Sequence, residues 1–386
     1  MSKNKLNVLH ITGTMNRGGA EVMLMDIFRH ISPDIHVDFL VNYKIKQGIV
    51  KGDFDDEIVA KGATIKHIAT QWDLGPLQYL RRFKKIYNEL GKPKVVHIHL
   101  NAKSGIIALA AKLAGASKII VHSHANLKFR GSKLRVLFET MELQFQKIFI
   151  YFFATDYWGA SVEANLSLFY KRLVKNNKTV VINNAVAVQT YQQVTAQQIA
   201  AFRESLNISA NTLLLGNVGR IVRHKNVSFV IDVLKELTAE NSDCCFIFAG
   251  RIDDAAYMQE IQQKIKVYNL EKKVIHLGNR NDVPVIMNAL DVFVAPALKE
   301  GFGLVAVEAQ ATGTPCVLYT GFPKSVDMQL NLVTFLNAFE VPRWLTAILA
   351  AKGKKCTDKK VILNNITALG FDIVGNTKQL EKLYKS

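Results

Sequence analysis

Short apolar runs recur from one end of this chain to the other. In the first half they read LNVLHI (6–11), VDFLV (37–41), ATIKHI (63–68), VVHIHL (95–100), KIIVHSH (118–124) and TVVINN (179–184). In the second half they read TLLLGNV (212–218), CCFIFAG (244–250), KVIHLG (273–278), DVFVAPA (291–297) and PCVLY (315–319). Strict alternation would mark a strand with one wet face, whereas near-continuous Val, Ile and Leu mark strands buried on both. Helical spacing fills the gaps, as in Val22, Met23, Met25 and Phe28, or in NVSFVIDVLKEL (226–237). Strands alternating with helices predict an α/β chain with parallel, doubly wound sheets. Two such series predict two Rossmann-like domains, and 386 residues are more than one core usually serves. The polar stretch 188–211 separates the series. The expected domains are 1–190 and 191–373, with a C-terminal helix over 374–386 packing back on the first.

Composition narrows the class. Apolar residues make up 49% and charged residues 21%, values of a globular rather than a disordered chain. No apolar run reaches the ~20 residues of a spanning helix, and the N-terminus lacks the apolar region of a signal peptide. Cys244, Cys245, Cys316 and Cys356 show no metal spacing, and the first two read as small core residues. A reducing, cytoplasmic setting fits. The net charge of +17 is uneven: residues 1–190 hold 27 Lys and Arg against 14 Asp and Glu, and 81–147 alone hold 14 against 3. Such a face expects an anionic partner, a membrane surface or nucleic acid. No zinc finger, RNA-binding aromatic signature or recognition-helix arrangement is visible, so nucleic acid is not the expected partner.

Three stretches carry candidate chemistry. In ITGTMNRGGAE a glycine turn, Gly18-Gly19, follows the first strand and opens a helix whose free N–H groups suit phosphate; a plain strand-to-helix turn reads the same way. In GNVGRIVRHKN, Arg220 and Lys225 flank a loop before a helix, as a diphosphate clamp or as two solvated cations. In LKEGFGLVAVEAQATG, a loop at a strand's carboxyl end leads through Gly301 and Gly303 into an apolar helix that Gly313 ends. Open α/β sheets bind ligands at such strand ends. Glu308 is the one ionisable residue from Gly301 to Gly313, and an apolar helix rarely keeps a carboxylate without a partner. Glu300 stands before the glycines. Carboxylates repel phosphate but accept bonds from hydroxyls, so the pattern points to a nucleotide-sugar site.

The set GRIVRHKN, LGNRNDVPVIMNALDVFVAP and EGFGLVAVEAQATGTPCV resembles the retaining GT-B glycosyltransferases of family four, most of all their capsular and exopolysaccharide branch. GTMNRGGAE, VVHIHLNAKSG, AAKLAGASKIIVHSHAN and VINNAV extend the resemblance over nearly the whole chain. It implies two Rossmann-like domains facing across a cleft, the first on the acceptor side and the second binding the donor. It implies that Arg220 and Lys225 hold the donor diphosphate, Glu300 the sugar hydroxyls and Glu308 the ribose. Backbone N–H groups near Phe302, Gly303, Leu304 and Val305 would support phosphate or sugar oxygens. Gly18 and Gly19 would approach the donor from the first domain, and 278–283, with Arg280, would meet the base. Two departures stand out: NNAVAV replaces the family's Asn-Gly-Ile/Val-Asp turn, and FPKSVDMQLNLVTFL replaces a glycine-rich loop near the donor.

His97 and His99, like His122 and His124, are spaced by two and share one side of a strand. Four histidines could hold zinc, or could be satisfied core residues. The resemblance places His124 beside the donor sugar, with His122 as the second choice and His99 either structural or near the acceptor, and implies neither metal nor cofactor. The basic segment Lys128, Arg130, Lys133, Arg135 runs into an apolar stripe of Leu134, Leu137, Phe138, Met141, Phe145 and Ile148. That pattern is either a core helix with a solvated start or an amphipathic element on an anionic membrane. The expectation is a metal-independent, retaining transferase. It would move a sugar from a UDP-sugar to a lipid-linked saccharide at the inner membrane face. A GT-B epimerase and a non-catalytic membrane scaffold are the alternatives.

Overall fold

The computed structural model of the chain describes residues 5–16, 18–124, 127, 129, 131–240 and 243–386. It forms two compact units, Met1–Ala185 with Ile373–Ser386, and Val186–Asp372.

The first unit holds seven strands: β1 (Leu6–Thr12), β2 (Ile35–Tyr43), β3 (Ile65–Ala69), β4 (Val95–Ile98), β5 (Lys118–Ser123), β6 (Asp156–Gly159) and β7 (Thr179–Val181). Their order is β3-β2-β1-β4-β5-β6-β7, all parallel. The second unit holds β8 (Leu213–Val218), β9 (Cys244–Ala249), β10 (Val274–His276), β11 (Val292–Ala295), β12 (Cys316–Tyr319) and β13 (Val333–Leu336). Their order is β10-β9-β8-β11-β12-β13, again parallel. The α/β reading with two Rossmann-like domains therefore holds.

Burial explains the unbroken apolar runs. Leu214, Ile247, Phe293 and Leu318 pack into one layer of the second unit, while their neighbours Leu215, Phe246, Phe248, Val294 and Val317 pack into the other. Both faces of the sheet are dry, so alternate positions are equally apolar. Two strands lie outside the runs read from the sequence. β6 is DYWG and β13 is VTFL; each has four residues, and β13 is a partly exposed edge strand. Neither carries an aliphatic run long enough to stand out.

The chain leaves and re-enters the first unit by neighbouring segments. Val186 forms a bridge with Asp372, and its N–H donates to Phe371 O at 2.8 Å. The C-terminal helix Ile373–Lys385 returns to the first unit, where Asn376 Nδ2 donates to Asn183 O at 2.7 Å and Leu380 and Tyr384 are buried.

Candidate functional site

In the second sheet the strand order reverses between β8 and β11. The loops that follow these strands carry the predicted cations and the Gly-Phe-Gly stretch. At such a switch point the connections run to opposite faces and leave a crevice at the strands' carboxyl ends. Backbone bonds shape it. Leu298 N–H donates to His224 O at 2.8 Å, tying the two loops together, and Glu300 N–H donates to Gly321 O at 2.9 Å. Gly250 N–H donates to Gly278 O at 2.8 Å, and a Cβ on Gly250 would meet Gly219 O at 1.9 Å. That close approach requires glycine.

Lys225 and Glu300, 75 residues apart, meet here as an ion pair, with 16% and 12% of their side chains exposed. Arg220 lies on the same loop as Lys225, half-exposed, with Nη1 3.2 Å from Asp253. The helix Leu304–Ala311 starts beside them. Its N-cap, Gly303, has φ 88°, and a Cβ there would meet the Phe322 ring at 2.4 Å. Side chains rarely adopt that conformation. Gly301 faces open space, while the Phe302 ring stacks on Phe371 with centroids 4.9 Å apart. Leu304 and Val305 form the first turn, whose N–H groups have no partner within the helix. Glu308 lies half-buried further along. Arg280 pairs with Asp282, its Nε donating to Oδ1 at 2.8 Å.

The first unit contains a different cluster. Its strand order reverses between β1 and β4, where His10 and His97 are register partners. His99 follows β4, His122 lies on β5 and His124 follows β5. All four predicted strand-end histidines converge, and they are joined by two groups that sequence reasoning missed. One is His10, in phase with them on β1. The other is Tyr384, on the C-terminal helix. His10 Nδ1 lies 2.8 Å from His99 Nε2, and His99 Nδ1 lies 2.8 Å from His124 Nε2. His97 Nε2 lies 3.1 Å from His122 Nδ1. The Tyr384 hydroxyl lies 2.7 Å from His97 Nδ1 and 3.3 Å from His10 Nε2. Burial without charged partners holds every imidazole neutral, lowering His10 to about 3 and His124 to about 4, with His97, His99 and His122 well below the ordinary value. The nitrogens of His10, His97 and His99, and of His99, His122 and His124, lie within 4.8 Å of one another, close enough for a metal ion. In this structure most of those nitrogens bond to each other instead.

Gly18 caps the helix Gly19–His30, as the turn predicted, but Glu21 folds back so that a Cβ on Gly18 would meet its carboxylate at 2.3 Å. An anion at this helix start meets that charge. Beside the same strand ends lies a hollow of about 250 Å³, lined by Thr14, Asn42, Gln71, Trp72 and Lys103 among others. Gln71 is buried, and neither its amide oxygen nor its amide nitrogen has a partner among the described residues. Sequence gave no signal for it, since a lone glutamine after a strand is commonplace.

The basic helix resolves one of the two open readings. Ser132 caps Lys133–Phe153, and Gln146 packs that helix against Gly105, where a Cβ would meet Gln146 O at 2.5 Å. The predicted stripe points away from this contact. Leu134, Leu137, Phe138, Met141, Phe145 and Ile148 are 46–80% exposed, so the stripe is not core. Lys133 and Arg135 belong to the same helix; Lys128 and Arg130 lie outside the described residues. Among the described residues no helix is long and apolar enough to cross a membrane.

Residues 198–328, which include Arg220, Lys225, Arg280, Glu300 and Glu308, match the family described as glycosyl transferases group 1. Over these residues the chain is similar to a group 1 glycosyltransferase domain. Over 389 residues the chain is 28% identical to EpsF of Bacillus subtilis (strain 168), whose name calls it a glycosyltransferase; the match spans 100% of this chain and 97% of that one. It is also 28% identical over 322 residues to an Escherichia coli enzyme, UDP-Gal:alpha-D-GlcNAc-diphosphoundecaprenol alpha-1,3-galactosyltransferase, covering 78% and 77% of the two chains. Among solved structures, Anabaena Alr3699/HepE in complex with UDP and glucose superposes with a TM-score of 0.77 at 20% identity, over 98% of this chain and 99% of that one. That likeness supports the GT-B fold. The matched residues hold the Lys225–Glu300 pair, whereas the histidine cluster lies outside them.

Proposed function

We propose that this chain transfers a sugar, with retention, from a UDP-sugar to a lipid-linked saccharide in cell-surface polysaccharide assembly. The observation that carries the reading is the meeting of Lys225 and Glu300 at the β8–β11 switch point, beside the glycine-led start of the helix Leu304–Ala311. The name of the Escherichia coli relative supports the lipid-linked acceptor, and that of CapH of Staphylococcus aureus, a capsular polysaccharide biosynthesis glycosyltransferase 24% identical over 99% of both chains, supports the polysaccharide setting. The UDP complex of the structural neighbour supports the nucleotide.

In this reading Lys225, Arg220 and the first-turn N–H groups stabilise the leaving diphosphate, which gains charge as the glycosidic bond breaks. Glu300 keeps Lys225 in place before the donor arrives and then accepts bonds from sugar hydroxyls. Glu308 receives the ribose hydroxyls, Arg280 borders the base and His124 borders the reacting sugar. The positive charge the diphosphate needs comes from these side chains, so turnover does not require a divalent ion or a cofactor. The hollow at Gln71 and Trp72 offers amides for hydroxyls and an exposed ring for a sugar face, as an acceptor saccharide would use. The exposed stripe of Lys133–Phe153, flanked by Lys and Arg, suits the anionic inner face of a membrane.

A panel of UDP-sugars incubated with the protein in EDTA tests the reading. Slow donor hydrolysis, or transfer to a lipid-linked saccharide with the anomeric configuration kept, is expected. Isomerised UDP-sugar would make the protein an epimerase. Donor binding without turnover would make it a scaffold, and activity lost in EDTA and restored by a divalent ion would refute the metal-independent mechanism.

A further inference from the structure

The contacts among the five histidines and Tyr384 form a single unbranched chain. It runs His122, His97, Tyr384, His10, His99, His124. The two outer nitrogens, His122 Nε2 and His124 Nδ1, are buried and have no partner among the described residues. Every imidazole-to-imidazole link joins an Nδ1 to an Nε2. Six neutral groups own one hydrogen each, and five links consume one hydrogen each. One hydrogen is left over.

That count permits three arrangements with one hydrogen in every link. With His122 Nδ1 donating, each next group donates onward and all five rings carry Nδ1–H, leaving the spare hydrogen on His124. With His124 Nε2 donating, the whole chain reverses and the spare hydrogen falls on His122. In the third, His97 Nδ1–H and His10 Nε2–H both donate to the Tyr384 oxygen, which strands the hydroxyl hydrogen of that buried side chain without an acceptor; every other mixture of tautomers leaves one link with two hydrogens or with none. Both outer nitrogens are buried, but the His122 residue lies wholly inside while His124, at the strand end, is half-buried; a small opening brings water or a ligand to His124 Nδ1 first, so an N–H is less costly there.

We infer that the five histidines share one tautomer, Nδ1–H, and that Tyr384 is the positioning residue whose hydroxyl locks the His122–His97 half to the His10–His99–His124 half. The C-terminal helix thereby sets the hydrogen that His124 presents, a donor at Nδ1. The consequence for sugar transfer rests on the placement of His124 beside the reacting sugar under the proposed function; the lock itself does not.

Imidazole nitrogen NMR of the ligand-free protein, labelled at histidine and assigned by single substitutions, tests the lock. In the wild type at neutral pH, all five rings should show protonated Nδ1 and bare Nε2. Mixed tautomers, or five Nε2–H rings, among these five histidines would overturn the inference whatever Tyr384→Phe does. In Tyr384→Phe, His97 loses its acceptor, and an orphan hydrogen on His97 Nδ1 or on His122 Nε2 becomes nearly equal in cost. The His97 and His122 shifts should then move to averaged values, while His99 and His124 keep theirs and His10 keeps its Nδ1–H but shifts at Nε2, which loses the Tyr384 hydroxyl. Unchanged His97 and His122 shifts in a folded Tyr384→Phe variant would remove Tyr384 as the link. Turnover of that variant should fall about tenfold, as for one lost hydrogen bond of about 1.4 kcal/mol, with UDP affinity unchanged. The expected shifts with full turnover would uphold the lock and refute the placement of His124.

Discussion

Mild acid should weaken the first unit selectively. The perturbation is a drop from about pH 7.5 to about pH 5.5. A base whose folded pKa is lowered takes up protons in the unfolded chain first, so its contribution is complete at neutral pH and is lost as pH falls below the unfolded value. His10 and His124, at about 3 and about 4 when folded, stay neutral at about pH 5.5, where an unfolded imidazole of pKa ≈ 6.5 is about ten to one protonated. Each therefore costs about 1.4 kcal/mol, and the two together about 3 kcal/mol. His97, His99 and His122 are shifted in the same direction and add to the loss. Asp26, raised by its burial, works the other way as a single opposing group. Asp243, Asp253, Glu260 and Asp282, whose carboxyls are lowered, belong to the second unit and lose their contribution only in stronger acid.

Trp158 reports on this unit, since its ring packs at 5.0 Å from His97 and is fully buried. Urea unfolding of a Trp72→Phe/Trp344→Phe variant would follow Trp158 alone. With a slope of about 2 kcal/mol per molar urea, a loss of about 3 kcal/mol lowers the midpoint by about 1.5 M. Equal midpoints at the two pH values would mean that the histidines are not held neutral by burial, and would refute the reasoning.

Three further outcomes are expected. Lys225→Ala should abolish most turnover and, by leaving Glu300 unpaired where little of it is exposed, cost about 3 kcal/mol of stability; Lys225→Ala/Glu300→Ala should regain stability in urea unfolding but not turnover, and regained turnover would remove the pair from the mechanism. Gly303→Ala should destabilise the second unit by about 1–3 kcal/mol, read from its thermal midpoint, because φ 88° and the Phe322 ring both resist a Cβ; an unchanged midpoint would mean that the turn rearranges freely. Replacing Leu137, Phe138 and Met141 with serine should reduce sedimentation with anionic vesicles while sparing UDP binding, and equal sedimentation would remove this stripe as the anchor.

The fold was legible because both sheets are covered on two faces, which turns strands into unbroken aliphatic runs. DYWG and VTFL escaped notice because short or edge strands need no such run. The groups gathered at the β8–β11 crevice were legible for a related reason. Glycines with special conformations and lone carboxylates in apolar segments violate local preference, and Gly303, Glu300 and Glu308 all do so. Gln71 violates nothing locally; it becomes unusual only when burial strips its amide of partners. His10 and Tyr384 stand 374 residues apart, and no spacing rule connects a residue of the first strand with one of the last helix.

The same topological feature carries opposite electrostatics in the two units. Each sheet reverses its strand order once beside its first strand, and each reversal collects polar side chains from strands that are distant in sequence. In the second unit the collected groups are of opposite charge, lie partly open to solvent and can exchange partners with an anionic ligand. In the first they are imidazoles and a phenol whose burial disfavours their charged forms. Charge placed at a partly open crevice offers binding energy to a diphosphate. Neutral groups in a sealed chain offer direction instead, because each must donate on one side and accept on the other. A hydrogen fixed at one end then fixes every other hydrogen along the chain. The first arrangement suits the step in which charge develops on a leaving group; the second suits holding one donor in a defined state beside a sugar.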